Sequence, residues 1–195
     1  GVLEWKGTNI ASPDNLTVDG NRNTYAGDGA LDALNGGTDN SAFGYQAMYS
    51  TTTGSGNTAV GQSSMYSNTT GGYNTAIGIS SMYSNTTGSD NVAVGNDALT
   101  LNTEGGSNVG LGVQALRSNT TGNANIAIGR QALYTNSTGS YNVVIGKESA
   151  YNLTGSYNVA IGYNSLKAAT SLNSAVAIGY GAMKDTTTGE NNIAV

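Results

Sequence analysis

A glycine follows a short apolar triplet at Gly44, Gly61, Gly78, Gly95, Gly112, Gly129, Gly146, Gly162 and Gly179, spaced by 17 residues except for one interval of 16 between Gly146 and Gly162. No other feature narrows the fold so far. A period of this length, kept from about residue 23 to Val195, belongs to chains that stack one short unit on the next, because one unit cannot bury its apolar face alone. Composition acquires meaning only on this register. Gly, Asn, Thr and Ser make up 98 of the 195 residues, which in irregular order would read as low complexity; in register they become the turns of each unit.

Aligned units give columns. The residue before each glycine is apolar: Val60, Ile77, Val94, Leu111, Ile128, Ile145, Ile161 and Ile178. Two positions earlier stand β-branched residues such as Val92, Val109 and Ile126, so a short strand is expected whose pre-glycine column is core. Four residues after the glycine a second core column is expected at Met65, Met82, Leu99, Leu116 and Leu133, with Ala150 as its exception. The middle strand position is small in nearly every unit: Ala59, Ala76, Ala93, Ala127, Ala160 and Ala177. If the flanking columns face inward, this one faces out, and its smallness points to a close subunit contact; tolerated filler is the plainer alternative. Asn57, Asn74, Asn91, Asn108, Asn125, Asn142 and Asn158 recur ahead of the glycine, where an amide ladder between coils and simple turn residues are equally open readings. The segment after the glycine reads as a turn or two of helix or 3₁₀ structure, with a second short strand as the competitor. A second glycine column, Gly71, Gly88, Gly105 and Gly122 among others, is expected to supply positive φ where the chain reverses.

The fold class is therefore mainly β: a parallel β-solenoid, roll or helix, of 17-residue coils with short helical or 3₁₀ turns. Residues 1–22 fall outside the period and are expected to cap or connect; residues 23–195 form about ten coils, the last ending in mid-repeat, so that more rod or a tip domain is expected downstream. Each coil contributes about three sizeable apolar side chains, a slim core, and self-association into a homotrimer is the expected remedy.

Chemistry is scarce. The chain has no His and no Cys, which removes the commonest general base, the commonest transition-metal ligand and all thiolate chemistry. Acidic residues do not recur from one unit to the next, unlike those of a calcium-binding roll. No enzyme activity and no cofactor or metal are expected. Seven Lys and Arg stand singly along a chain of net charge −5, so no basic stripe is expected and nucleic acid is excluded as a partner. No apolar run is long enough to span a membrane as a helix. Threonine pairs at Thr69 and Thr70, Thr86 and Thr87, and Thr120 and Thr121 raise an ice-binding alternative. Tyr49, Tyr66, Tyr83, Tyr134 and Tyr151 form a column, read as packing between coils or as a carbohydrate-stacking stripe. Sequons at Asn68, Asn85, Asn119 and Asn136 are taken as by-products of the Asn-Thr-Thr turn.

Units such as NTAIGISSMYSNTTG and NVAIGYNSLKAAT resemble the head repeats of YadA-like trimeric autotransporter adhesins and, more closely, the repeats of trimeric phage tail fibres and related bacterial fibre proteins. That resemblance covers residues 23–195 and implies a trimeric shaft or receptor-binding head. Host attachment, an extracellular, cell-surface or virion location, and contact with a surface glycan or protein receptor follow as implications. A head-to-tail filament subunit is the alternative architecture.

Overall fold

The computed structural model describes residues 17–195. It contains strands and turns and no helix among these residues. The fold is a parallel β-solenoid. After a two-residue strand β1 (Thr17–Val18) that pairs antiparallel with β2 (Thr24–Ala26), one short strand per coil continues to β12 (Ile193–Ala194), each hydrogen-bonded to the next in chain order. Register follows the repeat: Val92 pairs with Val109 across 17 residues, and Val143 with Val159 across the short interval. At about 4.8 Å per strand, the stack is on the order of 50 Å long. Most of the expected cap lies outside the described residues; only 17–22 are described, where β1 turns back on the first coil.

The two faces of the strand are the reverse of the expectation. The alanine column points inward: Ala59, Ala76, Ala93, Ala127, Ala160 and Ala177 have no exposed surface. The pre-glycine column points out: Val60, Ile77, Val94, Ile128, Ile145 and Ile178 are each 36–41% exposed, and Leu111 and Ile161 are half-buried. The reason is the thinness of the coil. A Cβ placed on Gly110, in the alanine column, would stand 3.3 Å from the Ala115 carbonyl oxygen opposite and 3.3 Å from Leu99 Cδ1 of the preceding coil. One methyl fills the space between strand and facing segment, so a row of Val and Ile has no room there. The second column is core as expected, with Met65, Met82, Leu99, Leu116 and Leu133 fully buried. Val144, the largest fully buried side chain of the alanine column, which only the half-buried Tyr25 of the first coil exceeds in size, shares a coil with Ala150, the smallest of the Leu/Met column. The interior conserves volume by exchanging the two sizes.

No helical or 3₁₀ turn forms after the glycine. Instead two successive reverse turns occur, as in Ala98 N–H donating to the Gly95 carbonyl and Asn102 N–H to that of Leu99, with Leu99, Leu116 and Leu133 at φ 51°. Left-handed residues of this kind are strained by roughly 1–2 kcal/mol each. The compensation is geometric: Ala98 and Leu99 are adjacent in sequence yet both buried, which the strict alternation of an extended strand forbids. Each such segment also donates to the following coil, as Leu99 N–H does to the Ala115 carbonyl at 3.0 Å.

The two glycine columns differ in role. Gly95 has φ +138°, and a Cβ there would stand 2.6 Å from the Gly112 carbonyl; the first column needs glycine for both conformation and stacking. Gly71, Gly88, Gly105 and Gly122 are not at positive φ, contrary to expectation, although Gly189 of the same column is. They are small because a Cβ on Gly88 would strike Asn85 Oδ1 at 2.5 Å and Asn102 Nδ2 at 2.8 Å.

Candidate functional surface

Two amide ladders hold the coils in register. In the expected column every link repeats: Asn108 donates from Nδ2 to Asn91 Oδ1 (3.1 Å), and its own Oδ1 accepts from the backbone N–H (3.0 Å) and Nδ2 (3.1 Å) of Asn125. Asn57, Asn74, Asn91, Asn108, Asn125, Asn142 and Asn158 are all fully buried. A second ladder, missed in the sequence, runs through the Asn-Thr-Thr turns: Asn85 to Asn68 at 2.9 Å, Asn102 to Asn85 at 2.8 Å, Asn119 to Asn102 at 2.7 Å and Asn136 to Asn119 at 3.1 Å. The ladders meet on the second glycine column. The Gly122 carbonyl accepts Asn108 Nδ2 at 2.8 Å and Asn119 Nδ2 at 3.0 Å. The second ladder stops at the one 16-residue coil. There Leu153 takes the next place in the column, and Asn136 Oδ1 is left buried with no partner. Asn68, Asn85, Asn119 and Asn136 are therefore interior structural amides and closed to glycosylation in the folded chain.

The other repeated side chains are also consumed by stacking. Tyr49, Tyr66 and Tyr83 form a column of parallel rings with centroids 5.2 and 5.0 Å apart, and Tyr134 stacks on Tyr151 at 4.8 Å. The hydroxyls of Thr69, Thr86 and Thr120 donate to carbonyls of the following coil at 3.0 Å. Of each threonine pair only Thr70, Thr87 and Thr121 remain exposed.

Two surfaces are left unspent. The first is the outer face of the sheet. It carries the pre-glycine column from Phe43 to Ile178 and, beside it, a column that runs from Ser41, Thr58 and Thr75 to Val92, Val109, Ile126, Val143, Val159 and Val176. No charged side chain occurs in either column. Isolated exposed apolar residues are ordinary on a protein surface, whereas these recur once per coil as a continuous column from Phe43 to Ile178.

The second surface is electrostatic. From residue 23 to 111 the chain has six acidic residues and no Lys or Arg; from 112 to 184 it has Arg117, Arg130, Lys147, Lys167 and Lys184 against Glu148 alone. Singly placed in the sequence, these five cations fall in five successive coils, on the positions directly after the glycine and five residues after it. That overturns the expected absence of a basic stripe. Glu148 joins the two positions, lying 2.6 Å from Lys167 and 3.6 Å from Lys147. Its hydrogen bond with Lys167 holds the Glu148 carboxyl below its usual range and raises the Lys167 ammonium. Arg117 lies 5.7 Å over the Tyr134 ring and Lys147 lies 5.6 Å over that of Tyr163.

Among the described residues no group of three His, Cys, Asp or Glu side chains is placed to hold a metal ion. No known protein family, curated protein or solved structure matches the chain.

Proposed function

We propose that this chain is a non-enzymatic segment of a homotrimeric fibre, a rigid shaft or head that projects from a cell or virion surface and contacts a receptor there. The apolar outer face of the sheet carries this reading. Its residues recur once per coil, so a partner that covers it from end to end must share the same axial repeat, and a second copy of the chain is the partner that does. The gradient along the face sets direction: side by side in register, Ser41, Thr58 and Thr75 meet their own kind and Val92 to Val176 meet theirs, whereas an antiparallel partner would set serine and threonine against valine.

The face is two columns wide, which suits a three-fold axis, because each column then meets a different neighbour. Three-residue strands about 10 Å across and a stack on the order of 50 Å long offer a plane of roughly 500 Å², divided between the two neighbours. The likeness of the repeats to those of trimeric fibres supports the same number. The alanine column, occupied within the coil, takes no part.

Light scattering on the purified chain tests the reading. A mass three times the 19.7 kDa of the chain, kept at micromolar concentration, is the expected result, and a stable monomer would refute it.

A further inference from the structure

The track of five cations has properties that a general surface charge lacks. It supplies one positive side chain per coil over five coils in succession, Arg117, Arg130, Lys147, Lys167 and Lys184, and so advances by about 4.8 Å per charge for roughly 19 Å. From Gly129 onward each coil also presents one tyrosine on the same two positions: Tyr134, Tyr151, Tyr163 and Tyr180. The acidic residues lie in the other half of the rod apart from Glu148, which ties Lys147 and Lys167 in place, and Asp185 and Glu190 beyond the last cation. A ligand that matches must be anionic, linear and charged at close, regular intervals.

We propose that this track binds a linear acidic polysaccharide carrying a carboxylate or sulfate on successive sugar units. A pyranose in an extended chain covers about the rise of one coil, so successive acid groups can meet successive cations. The tyrosines decide between this ligand and single-stranded nucleic acid. Nucleic-acid grooves need free ring faces on which bases stack. Here Tyr134 is covered by Arg117 from the preceding coil and stacked on Tyr151 from the next, and Tyr163 lies under Lys147 and against a Tyr180 ring tilted by 31°; Tyr180, 84% exposed, keeps an open face, one ring and not a row of them. The polar group of a ring stacked in this way is its hydroxyl, a hydrogen-bonding partner for sugar hydroxyls. The site deepens the receptor-contact part of the proposed function but lies on a single chain, and it does not depend on subunit number.

The test is titration of the intact protein, at low and high salt, with polygalacturonate, dextran sulfate, neutral dextran and a thymidine oligonucleotide. Binding of either acidic polysaccharide, at least tenfold weaker in Arg130→Gln/Lys147→Gln, unchanged in Arg22→Gln and weakened by salt, is the expected pattern. Equal affinity for neutral dextran, tighter binding of the oligonucleotide, no binding of either acidic polymer, or the same loss in Arg22→Gln would overturn it. Light scattering on the same samples keeps the two readings apart: a monomer with this pattern refutes the trimer alone, and a trimer without it refutes the track alone.

Discussion

The two amide ladders use the same residue type, but they do not bear the same load, and a pair of substitutions separates them. Asn108→Leu in the first ladder removes four hydrogen bonds: to Asn91 Oδ1, to the Gly122 carbonyl, and from the backbone and side-chain N–H groups of Asn125. The Gly122 carbonyl keeps Asn119, and Asn125 Nδ2 keeps the Gly139 carbonyl. The buried backbone N–H of Asn125 keeps nothing. At about 1 kcal/mol per net bond and roughly 1–3 for an orphaned buried donor, less about 2 recovered by burying leucine, the cost is about 4 kcal/mol. Asn102→Leu in the second ladder removes three side-chain bonds and orphans no backbone group. Leucine already stands in that column at Leu34 and Leu153, and Asn85 Oδ1 is left buried without a partner as Asn136 Oδ1 is beside Leu153, so the expected cost is about 3 kcal/mol. Urea unfolding followed by far-UV circular dichroism, at one protein concentration for all variants, measures both. If Asn102→Leu costs as much as Asn108→Leu, the assignment of the first ladder as the one that anchors backbone is wrong.

The size exchange at Val144 and Ala150 predicts strong coupling. Val144→Ala should cost about 2–3 kcal/mol through the cavity and Ala150→Leu about 1–3 through overpacking, while the double variant, which restores the common pattern, should cost less than either; additive losses in a double-mutant cycle would refute the exchange. Glu148 predicts an acid limb. Because its carboxyl is held below its ordinary value of 4.5 by the hydrogen bond to Lys167, the pairing stabilises the fold above the unfolded value and is lost as pH falls through the folded one. Unfolding midpoints of the natural protein and Glu148→Gln should converge as pH drops below 4.5, and a constant gap down to pH about 2 would contradict the pairing.

The repeat was legible because a solenoid writes its geometry into one period: strand positions, turn glycines, the Leu/Met core and the first asparagine column all follow from it. Which face of the strand is inside was not. Hydrophobicity assigns Val60 and Ile77 to the core, and only the width of the coil reverses that, since the facing segment lies one methyl away from the strand. A clue was nonetheless present. From β3 onward, the coil with the one bulky residue in the alanine column, Val144, also has the one small residue in the facing column, Ala150, and compensation of that kind marks side chains that share a cavity. The second ladder was hidden because Asn-Thr-Thr is also ordinary turn chemistry. The left-handed leucines carry no local signal, since their strain is offset by burial alone. The cation track was invisible in linear order, where 13 to 20 residues separate its members, and appears only when the coil pitch folds that spacing onto one side.

The central claim is that alanine faces the interior and the neighbouring isoleucines and valines face another copy of the chain. The direct measurement is light scattering with far-UV circular dichroism on Ile128→Lys and Ala127→Lys, adjacent residues on opposite faces of one strand. Ile128→Lys should keep the β-sheet spectrum and fall from the trimer mass to that of one chain, and Ala127→Lys should lose the fold. An Ile128→Lys variant that unfolds while Ala127→Lys merely dissociates would contradict the account and return the alanine column to the interface.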